Sequence, residues 1–183
     1  MLYIYGMNDV KRFFVGINGV KSFYECTEHP EVSLMPDKLR RCSLNEHNIK
    51  LIQDLNLSEY IVLTGMLPAD EIPQIMVDAE MLVLDRPDNL QAKFGFPTKL
   101  GEYLLSANPV VVTGVGDIPL FLQDKDSALI SPPNTPQAFA EKIVWALQNP
   151  DESKRIGYNG CKVARIHFNS DVEAKKLMTI IES

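Results

Sequence analysis

The sequence predicts an α/β protein: a Rossmann-like, doubly wound parallel sheet flanked by helices, with further helices at its C-terminus. Three observations predict it. From Pro36 onward, helix-like and strand-like hydrophobic periods alternate over short connections, the pattern of strands and crossover helices. The run Val110-Val111-Val112 is apolar without alternation, as a strand covered on both faces requires. Glycine-containing turns follow strand-like runs at Gly65 and at Thr113-Gly114-Val115-Gly116, where such sheets present ligand-binding loops.

Each element follows in order. Met1-Leu2-Tyr3-Ile4-Tyr5-Gly6 reads as a short buried strand; it is too short and lacks the basic lead-in of a signal peptide or a spanning helix. Ser43-Leu44-Asn45-Glu46 has capping-box spacing and opens a helix on which Ile49, Ile52 and Leu55 or Leu51 share a face, ended by Asn56. Tyr60-Ile61-Val62-Leu63-Thr64 is a strand that stops at Gly65, and Pro68-Ala69-Asp70 leads into a helix carrying Ile72, Ile75 and Met76. Glu80-Met81-Leu82-Val83-Leu84 is the next strand. A long polar loop from Asp85 to Pro97 follows, with the charged residues Asp85, Arg86, Asp88 and Lys93, a length that points to function.

Thr98 caps a helix running to about Ser106, and after Asn108-Pro109 comes the Val110 strand and its glycine turn. A strand near Ala128-Leu129-Ile130 precedes a helix that buries Phe139, Ile143, Val144 and Leu147 and ends at Gln148-Asn149-Pro150. The segment from Asp151 to Ser183 reads as two amphipathic helices broken near Phe168-Asn169-Ser170, with balanced charge on a solvated face.

Composition narrows the function. With 183 residues, 45% hydrophobic and 23% charged, the chain is of ordinary globular make-up and of one-domain length. A net charge of -6 argues against nucleic acid as a partner, because a phosphate-tracking surface needs clustered Lys and Arg left uncancelled. Cys26, Cys42 and Cys161 are odd in number and widely spaced, which fits free thiols in a reducing cytoplasm. Cys26, Glu28 and His29 stand close together, but no second pair with ligand spacing accompanies them, so no metal site is expected.

Ligands of open parallel sheets bind beyond the carboxyl ends of the strands, here the loops at Gly65, Asp85 to Pro97, Thr113 to Gly116, and Pro132. Phe94-Gly95-Phe96-Pro97 enters a helix, whose free N-terminal amides suit phosphate. Lys99 adds a cation there, and Glu102 lies three residues on, one turn deeper on the same side. A cation and amides can meet a diphosphate while the carboxylate accepts from a pair of sugar hydroxyls. The alternative is that Lys99 and Glu102 form a surface ion pair without function. Thr113-Gly114-Val115-Gly116 lacks the third glycine and the later acid of a dinucleotide fingerprint, which leaves a sugar-nucleotide epimerase or an NAD-dependent oxidoreductase as a weaker reading.

The run from Gly95-Phe96-Pro97-Thr98-Lys99-Leu100-Gly101-Glu102-Tyr103-Leu104 through Asn108-Pro109-Val110-Val111-Val112-Thr113 to Val115-Gly116-Asp117-Ile118 resembles the donor-site block of group 1 (family 4) glycosyltransferases. Val62-Leu63-Thr64-Gly65 and the segment from Asn149-Pro150 through Asn159-Gly160 are similar to that family's flanks, so the resemblance covers about Leu51 to Ser183. It implies one half of a GT-B fold, the C-terminal nucleotide-sugar-binding domain, over residues 36–183. Residues 1–35, with Phe23-Tyr24-Glu25-Cys26-Thr27-Glu28-His29-Pro30, resemble a fragment of the N-terminal acceptor domain, so that the chain looks truncated or internally deleted.

The resemblance carries residue roles with it. Glu102 matches the second glutamate of the family's Glu, seven residues, Glu motif, which implies hydrogen bonds to the nucleotide ribose. The first glutamate falls at Phe94, so the donor-sugar contact is absent or comes from Asn89 or Gln91. Gly95 and Phe96 match positions whose backbone amides approach sugar and phosphate. No counterpart is evident for the basic pair that clamps the diphosphate, for which Lys93 and Lys99 are the available substitutes. The implied donor-binding set is Gly95, Phe96, Thr98, Lys99, Glu102, Gly65, Asn89 and Gln91, with no catalytic residue assigned. The implied function is retaining transfer from a nucleotide-diphosphate sugar to a glycan or lipid-linked acceptor, as in polysaccharide synthesis. Neither metal nor other cofactor takes part, and the place is the cytoplasm, at the inner membrane face where the acceptor is lipid-linked. The competing implication is a donor-binding remnant or module that needs a separate acceptor domain.

Overall fold

The structure, a computed structural model, describes residues 2–4, 13–15, 46–56, 58, 61–63 and 67–182. Gly65, Cys26, Cys42, Glu28, His29 and the capping residues before Glu46 lie outside them. The chain divides into two compact units, Met1–Leu84 and Asp85–Ser183.

The first unit contains strands β1 (Leu2–Ile4), β2 (Phe13–Val15), β3 (Ile61–Leu63) and β4 (Met81–Leu84), with helices α1 (Glu46–Asp54) and α2 (Ile72–Val77). β2 runs parallel to β4, pairing Phe13 with Met81 and Val15 with Val83. β1 departs from an all-parallel sheet, running antiparallel to β2 and to β3. Length explains the β1–β2 pair: residues 5–12 are too few for the crossover of a dozen or more residues that parallel neighbours need. Asn56, at φ 55°, takes the left-handed conformation that stops α1. Leu55 lies beyond the helix and is exposed. α2 begins only at Ile72, after a turn over residues 69–71, with a proline in its first turn and Met76 as its buried residue. All four residues of β4 are buried, the covered-strand pattern again.

The second unit contains α3 (Leu90–Phe94), α4 (Thr98–Leu105), β5 (Val110–Thr113), α5 (Ile118–Phe121), β6 (Leu129–Ser131), α6 (Pro136–Gln148), α7 (Pro150–His167) and α8 (Ser170–Ile181). β5 and β6 are parallel, Val111 facing Leu129 and Thr113 facing Ser131. Helix α6 packs on both strands, and α7 packs on α4 and α6. Leu100, Leu104, Val111, Val112, Leu129 and Ile156 are fully buried in this core.

Sequence expectations are corrected at four points. The polar segment from Asp85 to Pro97 is not one loop but contains α3, because Asn89 Oδ1 accepts from Ala92 N at 2.8 Å and caps it. Thr98 is not the cap of α4; Pro97 occupies that position with extended backbone and no side-chain bond, and Thr98 is the first helical residue. A short helix, α5, follows the glycine turn, opened by a proline in its first turn. The inner face of α6 centres on Ala146, with Phe139, Ile143 and Leu147 half-buried, whereas Val144 is exposed.

Small residues let α7 approach its neighbours. A Cβ on Gly160 would meet the Ser127 carbonyl oxygen at 2.6 Å and Leu104 Cδ2 at 2.8 Å, and one on Gly157 would enter the backbone of residues 107–109. Asn169 separates α7 from α8 by accepting from Asp171 N at 2.9 Å, which places the predicted break where the sequence marked it.

Candidate functional site

The segments following β4, β5 and β6 are tied together in the second unit. Thr113, almost fully buried at the end of β5, accepts from Arg86 N at 2.7 Å and donates to the Arg86 carbonyl at 3.1 Å. Gly114 N donates to the Ser131 carbonyl at 2.8 Å, and Asp88 N to Asn134 Oδ1 at 3.2 Å. Gly116 has φ 62°, and a Cβ there would meet the carbonyl oxygens of Ala92 and Lys93 at 2.9 Å. Only glycine combines that backbone conformation with this approach, so the turn after β5 is seated on the end of α3. Of the strand-end loops named from the sequence, those at 85–97, 113–116 and 131–134 thus converge.

Beyond α3 the chain enters α4 through Gly95-Phe96-Pro97. The Phe96 ring packs edge-on against Phe121 at 5.6 Å and against Phe168 at 5.0 Å between centroids. Gly101 leaves room for Phe168, whose Cβ would stand 3.5 Å from an added Cβ. The Phe96 side chain is therefore an anchor, and what this segment offers a ligand is backbone. Among the described residues, the amides of Gly95, Phe96, Thr98 and Lys99 have no hydrogen-bond partner. Those of Thr98 and Lys99 are the open donors of a helix N-terminus, where the helix dipole also favours an anion.

Thr98, Lys99 and Glu102 are exposed on α4. No ion pair joins Lys99 to Glu102, nor either to another described residue, so the surface-pair alternative is not what the side chains do. Leu100, Tyr103 and Leu104 on the opposite face are buried and fix the helix. Burial, and then the neighbouring Glu102 charge, push the Tyr103 phenol well above its usual range.

The remaining predicted residues divide. Gln91 is exposed on α3 close by, its carbonyl oxygen 2.8 Å from where a Cβ on Gly95 would sit. Asn89 spends its side-chain oxygen on capping α3. Phe94, in the place of the motif's first glutamate, is 88% exposed. Lys93 pairs with Asp88 at 3.0 Å, whereas Lys99 makes no ion pair among the described residues. Gly65 lies outside the described residues.

Sequence reasoning missed Arg86 as a component. It is 7% exposed, and Nη1 donates to the Gly95 carbonyl at 2.8 Å. Desolvation lowers its pKa. The adjacent Asp85 carboxyl is raised above 3.8, first by desolvation, with a hydrogen bond from Arg86 N opposing. The only signal was an arginine two residues beyond a buried strand; the Thr113 lock 27 residues away has none.

An open hollow of about 540 Å³ lies between α5 and β6, lined by Gly114, Pro119, Leu122, Asp124 and Ile130 among others. It is a separate feature: none of Gly95, Phe96, Thr98, Lys99 or Glu102 lines it. Its carboxylate, Asp124, is held by Lys142 and by Ile130 N, so its walls suit packing better than a charged ligand. Among the described residues no three His, Cys, Asp or Glu side chains gather as a metal site, and no helix is long and apolar enough to cross a membrane.

Comparison with known proteins agrees with this architecture. No curated protein sequence matches the chain. Among solved structures, Anabaena HepE in complex with UDP-glucose is similar at 18% identity and a TM-score of 0.64, over 75% of this chain and 36% of that one. Sucrose-phosphate synthase from Thermosynechococcus elongatus is similar at 20% identity and 0.62, over 93% and 37%. The C-terminal domain of the group 1 glycosyl transferase LpcC from Francisella tularensis is similar at 18% and 0.55, over 68% and 62%. These likenesses show a shared GT-B-type α/β fold, and the chain spans little more than a third of the first two proteins. Residues 37–149, more than half of the chain, match the family described as Glycosyl transferases group 1, and the chain belongs to that family.

Proposed function

We propose that this chain binds a nucleotide-diphosphate sugar at the N-terminal end of α4 and supplies the donor half of a retaining glycosyltransferase. The observation that carries the reading is the set of amides at Gly95, Phe96, Thr98 and Lys99 that have no partner among the described residues, beside the exposed Lys99 and Glu102 side chains. In the reaction, the diphosphate leaves with negative charge, and fixed amides with a nearby cation stabilise that charge in place of a metal. Glu102 accepts from the ribose hydroxyls, and Asn89 and Gln91 border the sugar. Residues 36–183 are the donor domain and residues 1–35 derive from the acceptor half. The acceptor is a glycan or a lipid-linked saccharide in the cytoplasm, reached at the inner membrane face. Solved relatives carrying UDP-glucose at a similar fold support the donor class.

A second reading is favoured by length: structures of similar fold are nearly three times as long as the shared part, so the chain acts as a donor-binding module beside a separate acceptor domain. Alignment of an acceptor hydroxyl at the anomeric carbon needs that second surface.

Calorimetric titration of the full chain with UDP, UDP-glucose and NAD tests the donor assignment; binding of the uridine ligands without NAD is expected, and preference for NAD would sink it. Assaying sugar transfer with and without the N-terminal domain of a full-length relative separates the two readings. Turnover by the chain alone would refute the module.

A further inference from the structure

The Arg86 guanidinium is a buried cation without an acid. Among the described residues it makes no ion pair. Among the described residues neither nearby carboxylate pairs with it: Asp88 pairs with Lys93, and Asp85 joins no ion pair. Its backbone is locked on both sides by Thr113, so the side chain leaves a fixed point and reaches Gly95 nine residues on. A buried charge without a carboxylate is costly, and the hydrogen bond that Arg86 does make ties it to the Gly95 carbonyl at the entry to α4.

The geometry of the peptide bond adds direction. All peptides described are trans, and in a planar trans peptide the carbonyl and the following N–H point to opposite sides. Arg86 holds the Gly95 carbonyl on its own side, so the Phe96 N–H, which has no partner among the described residues, faces away from the guanidinium. Gly95 must be glycine for this: a Cβ would meet the Gln91 carbonyl oxygen at 2.8 Å and stand 3.8 Å from Arg86 Nη2.

We propose that Arg86 is the positioning residue of the donor site, turning the Gly95–Phe96 peptide so that the Phe96 N–H meets the diphosphate and placing a positive charge behind it. This stands in for the missing basic pair and rests on the nucleotide-sugar reading above. Because it acts on the phosphates, its removal separates UDP from uridine.

The test measures UDP binding by calorimetry and uridine binding by saturation-transfer NMR for the full chain and for Arg86→Met. The substitution is expected to weaken UDP about tenfold, the worth of a charge-assisted hydrogen bond, while uridine affinity stays unchanged. Unchanged UDP affinity, or equal losses for UDP and uridine, would overturn the proposal, the second outcome showing a merely structural role. Should Arg86→Met fail to fold, Arg86→Lys keeps the cation without the planar fork. It is expected to weaken UDP alone, about threefold, and the same two outcomes would overturn the proposal. Failure of the unaltered chain to bind either ligand would overturn the nucleotide-sugar reading and this role with it.

Discussion

The two ends of α4 are built on opposite terms. At the C-terminal end everything is closed: Ser106 Oγ donates to the Tyr103 carbonyl at 2.7 Å, Ala107 N to the Leu104 carbonyl at 3.1 Å, and α7 presses Gly157 against residues 107–109. At the N-terminal end the backbone is left open: Pro97 caps without a side-chain bond, and among the described residues the amides of Thr98 and Lys99 have no partner. One helix thus has its backbone groups bonded at one end and, among the described residues, open at the other. Substitutions at the two ends should therefore separate in what they change.

The largest effect is expected at the closed end. Gly157→Val places side-chain atoms into the Asn108-Pro109 peptide, already 2.6–2.8 Å from an added Cβ, and overpacking against backbone is expected to cost about 3 kcal/mol. A urea denaturation curve checks it; an unchanged midpoint would mean that the seam is loose. At the open end, Glu102→Ala is expected to weaken UDP binding by about 2 kcal/mol and to leave stability within about 0.5 kcal/mol. If the urea midpoint moved and the affinity did not, the division between the two ends would be broken. Lys99→Ala follows with about 1 kcal/mol of lost UDP affinity, largest at low ionic strength, since an exposed cation is screened by salt; a salt-independent loss would argue against a charge role.

Much of this division was legible in the sequence, and what was missed has a physical reason. The strands at Met81–Leu84 and Val110–Thr113 were plain because their burial on both faces leaves an unbroken apolar run. The break at Asn169 was plain because it is local chemistry. Helix α3 was hidden because it is five residues long and buries only Ala92, leaving Leu90 and Phe94 exposed, and its one sign, an asparagine three residues before Ala92, looks like loop composition. The N-terminal end of α4 is marked by motif residues, yet Arg86 was overlooked because its meaning lies in Thr113 and Gly95, contacts that no local pattern announces. The antiparallel setting of β1 is likewise a matter of pairing partner, which hydrophobic period cannot encode.

Smaller effects sharpen the comparison. Ala107 sits at φ 62°, a strained setting for alanine, so Ala107→Gly is expected to raise stability by about 0.5 kcal/mol in thermal unfolding without altering UDP affinity. Asp85 tests the segment ahead of α3. Its folded carboxyl is raised above 3.8, so the folded state disfavours the ionised form, and stability is lost as pH rises through the ordinary value to the raised one. Asp85→Asn should flatten that decline in a pH series of melting temperatures, and a decline of equal size would assign it to another group.

The most direct measurement is an amide NMR titration of the full chain with UDP, read residue by residue. The account predicts that the Gly95, Phe96, Thr98 and Lys99 resonances move together, whereas those of Gly157 and Gly160 in the closed seam stay in place. Shifts centred on Gly114, Leu122 and Ile130 around the hollow beside α5, with the four amides unmoved, would contradict it.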